Sequence, residues 1–162
     1  MKSILLAAAA AMVLLAPGAA MAKDLPQGGL TLEEIVAWLK ADGLPAEIKT
    51  ADDGAKTIAS SFDGAAFHVY VYDCKDGRCG SLQFSEGFDT KGAWGPDPIN
   101  TWNRENRWTR AYADKVNDPW IEEDVDLTPG GTYEILDDQL AIYRSALTKF
   151  RTYIKWDKPA SK

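Results

Sequence analysis

Leu32, Ile35, Val36 and Leu39 recur at three- and four-residue intervals, a spacing that predicts an amphipathic helix with Trp38 at the edge of its apolar stripe. Thr31 and Glu34 fit a Thr-x-x-Glu capping box, Leu30 can staple onto Ile35, and Gly43 followed by Pro45 ends the helix. The apolar period then changes to two. Short strands are expected at Ala46–Thr50 and Lys56–Phe62, turned by Asp52-Asp53-Gly54, and Asp63-Gly64 is a two-residue hairpin signal. Pairing about that turn sets Ile58 opposite Val69 and Ser60 opposite Phe67. Along the next strand Phe67, Val69 and Val71 take one face, and His68, Tyr70 and Tyr72 the other. The loop Lys75-Asp76-Gly77-Arg78 returns the chain into a strand over 80–88. If Cys74 faces Cys79, then Val71 meets Leu82 and Val69 meets Phe84. On the other side Tyr72 meets Ser81, Tyr70 meets Gln83 and His68 meets Ser85. Two independent turns thus agree on which face is core.

The second half repeats the logic with shorter elements. Asp97 can cap a short helix with Pro98 at its first position, and Ile99, Trp102 and Asn103 share a face of it. Strands are expected over 107–113 and 119–127. With 115–118 as a four-residue loop, Trp108 faces Val125, Tyr112 faces Ile121, and Arg110 forms an ion pair with Glu123 between two inward apolar positions. Past the loop Pro129-Gly130-Gly131, Thr132 caps a long helix over about 133–154. Its residues Leu136, Leu140, Tyr143, Leu147, Phe150 and Ile154 form a seam against the sheet. The order α-β-β-β-β-α-β-β-α, with tight turns between strands, predicts a single α+β domain with an antiparallel sheet of about six strands.

The N-terminus changes the setting of that domain. Lys2 is a positive n-region, Ile4 to Leu15 is an apolar core too short to span a membrane comfortably, and Ala20-Met21-Ala22 is an Ala-x-Ala cleavage site. We therefore expect a cleaved signal peptide over 1–22, a lead-in over 23–30, the domain over 31–156 and a flexible tail over 157–162. The mature protein would then be periplasmic or secreted, and no cysteine at its start offers a lipid anchor, so no stable membrane anchor remains. The formal charge of −6 includes Lys2, so its removal leaves −7 on the mature side chains. An acidic exported domain lacks the basic footprint that nucleic-acid binding needs.

Cys74 and Cys79 are the only cysteines, and across a hairpin loop in an exported chain they read as a structural disulfide. The loop they close is short, so the entropic gain is under about 3 kcal/mol. His68 is the only histidine. Ser85 lies opposite it, but neither a nucleophile elbow nor an orienting aspartate accompanies the pair. Glu122, Asp124 and Asp126 alternate along one strand face at about 6.6–6.8 Å, too far apart to gather around one cation, and read as a solvated face. Arg104, Arg107 and Arg110 interleave with Trp102, Trp108 and Tyr112, which in an acidic chain points to packing and ion pairing. No cofactor, metal or catalytic set is expected.

The ordered run Ile99-Asn100, Trp102-Asn103, Arg107-Trp108, Arg110-Ala111-Tyr112 and Asp124-Val125 resembles the signature of the YbjN-domain family. Its members are described as bacterial sensory transduction regulators and are thought to share the fold of type III secretion chaperones. The resemblance implies an α+β fold of that kind, a regulatory class, and a mainly structural role for Asn100, Trp102, Asn103, Arg107, Trp108, Arg110 and Tyr112. The expectation is an exported, non-catalytic binding or regulatory module. Its partner would be another protein or a second copy, held on the sheet face of His68, Tyr70, Tyr72 and Gln83. The alternative is a small periplasmic ligand-binding protein or hydrolase using that same face.

Overall fold

A computed structural model describes residues 22–156. The expected signal peptide, apart from Ala22, and the expected tail over 157–162 lie outside the described residues. The elements are α1 (Leu32–Ala41), β1 (Ala46–Thr50), β2 (Lys56–Phe62), β3 (Ala65–Lys75), β4 (Arg78–Gly87), α2 (Pro96–Glu105), β5 (Arg110–Ala113), β6 (Pro119–Asp126) and α3 (Tyr133–Tyr153). The six strands form one antiparallel sheet in the order β1-β2-β3-β4-β6-β5. The protein is a single-domain α+β fold with the expected order of elements.

Local chemistry explains the helix ends. The Thr31 hydroxyl accepts from Glu34 N at 3.1 Å, and the Glu34 carboxylate accepts from Thr31 N at 3.0 Å, so the box closes both ways. Glu34 also takes a two-pronged bond from Arg78 at 2.8 and 3.0 Å, which pins α1 to the β3–β4 hairpin. Thr132 caps α3 by accepting from Ile135 N. At α2 the expectation is corrected. The helix begins at Pro96 with Gly95 as its cap, which has no side chain to bond the first-turn N–H groups. Pro96 rather than Pro98 takes the first position, where its missing N–H costs nothing.

The helices share one face of the sheet. Tyr143 of α3 stacks on Phe84 at 5.1 Å and meets Phe67 edge-on at 5.7 Å, while Trp38 of α1 lies 6.4 Å from the same Phe84. Trp102 of α2 meets Phe150 of α3 at 5.0 Å. All six seam residues of α3, from Leu136 to Ile154, are buried. The lead-in closes the end of this layer. Leu30 and Cys79 exchange backbone bonds of 3.2 and 2.9 Å, and Gly29 runs so close to the Cys79 carbonyl that a side chain there would collide with it. Cys79 is bonded to Cys74 across the hairpin, with an S–S distance of 2.09 Å.

Both β2–β3 and β3–β4 registers follow from their turns as expected, with Ile58 opposite Val69 and Phe84 opposite Val69. The β5–β6 register differs by one residue. Ala113 faces Pro119, so the loop holds five residues, 114–118, rather than four. Asp114 is the cause: its carboxylate accepts from Val116 N and Asp118 N, both at 2.9 Å, which draws it out of the strand and into the turn. Arg110 therefore pairs with Glu122, Ala111 with Ile121 and Tyr112 with Trp120, and the Arg110–Glu123 ion pair does not form. One residue of slip moves every side chain of the strand to the opposite face. Trp108 falls outside β5 altogether. It is 62% exposed, and its backbone φ of 77° is one that bulky residues rarely adopt.

The uncovered sheet face as candidate functional site

Because the helices lie on the Phe67/Phe84 side, no described helix covers the opposite side. Alternation along each strand decides what that side presents. From β3 it receives His68, Tyr70 and Tyr72; from β4 Ser81, Gln83 and Ser85; from β6 Trp120, Glu122, Asp124 and Asp126; and from β5 Arg110 and Tyr112. Of the face expected from sequence, Tyr72 is 47% exposed, His68 and Tyr70 are half-buried, and Gln83 is buried. Gln83 belongs to the face as a support rather than as a contact. Its amide donates to Asp124 Oδ1 at 2.7 Å, and its carbonyl accepts from the Tyr72 hydroxyl at 3.4 Å.

The slipped register brings in residues that sequence reasoning did not place here. Tyr112, expected to face inward, stacks on Trp120 with ring centres 6.2 Å apart and planes 8° from parallel. Gly87 makes the room: a Cβ there would sit 2.5 Å from the Trp120 indole. A glycine opposite a tryptophan on paired strands was the available signal, since a backbone without a side chain is where a large ring can lie flat. Beneath these rings Glu122 is buried but well supplied. It accepts from the Tyr112 hydroxyl at 3.0 Å and is ion-paired with Arg110.

The electrostatics follow from that arrangement. Burial first, and then the Glu122 carboxylate, push the Tyr112 phenol up to about 12. Burial, followed by the carboxylates of Glu122 and Asp124, raises Tyr72 as well. Both hydroxyls therefore remain protonated donors at any physiological pH, and the face carries negative potential around them. Glu122, Asp124 and Asp126 do not act as a set: the first is bonded to Arg110 and Tyr112, and the second to Gln83. Ser85 is 1% exposed and out of reach of a substrate. His68 Nδ1 stands 3.9 Å from a Glu86 oxygen, longer than a hydrogen bond. The face offers recognition chemistry, namely aromatic rings with polar tips and carboxylates.

The signature residues divide between scaffold and surface. Asn103 brackets Ala111, donating to its carbonyl and accepting from its N–H, both at 2.9 Å. Trp102 is buried against Phe150 and Tyr153, and its carbonyl accepts from the Asn106 side chain at 3.1 Å. Asn100 is exposed. Arg110 and Tyr112 serve the sheet face. Arg107 lies over the Trp108 ring at 4.7 Å, and the two line a groove of about 680 Å³ against α3.

The structure is an α+β domain, an antiparallel sheet layered with helices on one side and bearing aromatic and acidic side chains on the other. The chain belongs to the YbjN family, described as "Putative bacterial sensory transduction regulator", whose model matches residues 31–156. The crystal structure of YbjN from E. coli, titled a "putative transcription regulator", is similar over 77% of this chain and 89% of that one. The TM-score is 0.50 and the sequence identity 16%, a likeness of fold. No curated protein sequence matches the chain.

Proposed function

We propose that this protein is an exported, non-catalytic regulatory module that works by holding a partner protein on its uncovered sheet face. The observation that carries the reading is the one-sided helix layer, which leaves Tyr70, Tyr72, Tyr112 and Trp120 on a face that no described helix covers. Tyrosine and tryptophan suit such a role because they offer apolar area with a polar tip and lose little rotamer freedom on docking. Membership in a family of regulators supports the class. Export is supported by the n-region, apolar core and Ala-x-Ala site of residues 1–22, together with a Cys74–Cys79 bond of the kind that persists in oxidising compartments.

Two measurements test the reading. Tyr70→Ala and Tyr72→Ala should lose partner capture in cells by photo-crosslinking from the sheet face, with melting temperatures close to that of the parent. Severe destabilisation of both would assign the face to the core. Separately, protein recovered from the periplasm should begin at Lys23 and weigh two hydrogens less than its reduced form. Two free thiols, or an intact leader, would remove the export half of the proposal.

A further inference from the structure

The lead-in is tied down from its first residue. Lys23 directly follows the Ala-x-Ala site, and three of its groups engage the start of α3. Its backbone N donates to Glu134 Oε1 at 3.1 Å, its carbonyl accepts from Tyr133 N at 2.9 Å, and its Nζ lies over the Tyr133 ring at 4.6 Å. The next two residues continue the contact. Asp24 forms an antiparallel bridge with Thr132, and Leu25 N donates to the Gly131 carbonyl at 2.8 Å. Further along, Leu30 is fully buried and exchanges bonds with Cys79, so the same segment closes the helical layer.

We propose that removal of residues 1–22 completes a latch: the α-amino group it releases at Lys23 forms an ion pair with Glu134 and holds the lead-in on α3. This rests on the export reading above and says what the domain gains from processing. The covalent step is hydrolysis of the Ala22–Lys23 amide. Water gives its hydroxyl to the Ala22 carbonyl and a hydrogen to the Lys23 nitrogen. The new acid then loses a proton and the new amine takes one up, so at neutral pH the products are a carboxylate and an ammonium. A neutral N–H donor 3.1 Å from a carboxylate thereby becomes a cationic one, and charge-assisted bonds are about twice as strong as neutral ones. The helix makes the carboxylate necessary. The start of a helix carries partial positive charge that repels an ammonium, and an acidic residue in the first turn offsets both. Glu134 holds that position in α3. Its own backbone N–H, and then that of Lys23, keep its carboxyl below the ordinary value.

The test uses two forms of the chain with defined starts, one beginning at Lys23 and one at Ala20, each with Glu134 and with Glu134→Gln. The Lys23 side chain is common to every form, so the cycle isolates the α-amino group. Hydrogen exchange followed by NMR reads the amide of Tyr133, which bonds the Lys23 carbonyl. In the form that begins at Lys23 it should exchange about threefold more slowly than in the longer form, the scale of a well-placed exposed ion pair. Glu134→Gln, or about 1 M salt, should close that gap. Equal exchange in the two forms, or a gap that survives Glu134→Gln, overturns the latch and leaves the export reading intact. Periplasmic protein that begins elsewhere than Lys23 overturns the cleavage site and the latch together, whatever the exchange rates.

Discussion

Glu123→Gln should make the protein more stable at about pH 8 while leaving it nearly unchanged at about pH 4.5. Glu123 sits on the core face between Ile121 and Val125, opposite Phe84, and is 3% exposed. Neither of its oxygens has a hydrogen-bond partner among the described residues. Burial pushes its carboxyl up from 4.5 to about 7. A folded-state value above the unfolded one means that the fold favours the protonated form. Glu123 therefore carries no ionisation cost below about pH 4.5. The cost accumulates as pH rises through 7, at about 1.4 kcal/mol per pH unit, to about 3 kcal/mol in all. Glutamine imitates the neutral acid, so it should remove this slope and raise the melting temperature at about pH 8 by on the order of 5–10 °C. Glu123→Leu should raise it further by removing the unpartnered polar atoms as well. Among the described residues the Tyr143 hydroxyl is also buried without a hydrogen-bond partner, and burial followed by Glu86, Glu123 and Glu122 drives it well above its ordinary value. Parallel pH–stability curves for parent and Glu123→Gln would show that the carboxyl is solvated or paired in solution.

That expectation reverses the one the sequence suggests, and the reversal shows where sequence reasoning ends. An arginine and two adjacent glutamates on neighbouring strands invite a pairing, and loop length alone decides which glutamate is chosen. At Asp63-Gly64 and Asp76-Gly77 the turn is short, both central residues take positive φ, and the register is legible from the residue types. At 114–118 the loop is longer, and its length depends on whether Asp114 pairs in the strand or caps the turn. Alternation could not arbitrate, because Ala111 and Ala113 are small enough to read as either face. The result exchanges the roles of Glu122 and Glu123. The first serves Arg110 and Tyr112 on the open face, and the second is buried alone.

The elements themselves were legible because each carries several agreeing signals. α1 has a capping box, an apolar stripe and a stop; α3 has a seam and a threonine cap. The sheet face was half legible for the same reason as its register. Residues from the well-determined hairpin, His68, Tyr70 and Tyr72, were placed correctly. Tyr112, from the slipped one, was not, and Trp120 was not singled out. The core side was legible in β3, where Phe67, Val69 and Val71 share a face. Tyr143 of α3 and Trp38 of α1 pack on Phe84 on that side, and Trp102 of α2 joins them through Phe150 of α3.

Asn103→Ala should be far more damaging than the same change at Asn100, the other signature asparagine. β5 is an edge strand of four residues, and one side of it pairs with β6. On its other side the Asn103 side chain supplies what a seventh strand would, one acceptor for Ala111 N–H and one donor for its carbonyl. A side-chain amide carries its donor and its acceptor side by side, as a backbone N–H and C=O require. Removing it strands two backbone groups, at a cost of about 1–3 kcal/mol because water can reach the site. It also uncovers an edge that can template pairing with another chain. Asn103→Asp should retain the acceptor, lose the donor and set a charge beside the Ala111 carbonyl, so it should be no better than alanine at neutral pH and recover partly in acid. Asn100→Ala, exposed three residues earlier on the same helix, should lie within about 0.5 kcal/mol of the parent. Urea denaturation ranks the three variants, and size-exclusion chromatography reads the uncovered edge. Equal midpoints for Asn103→Ala and Asn100→Ala would mean that the bracket contributes nothing to β5, and that the signature asparagine must be explained by what it binds.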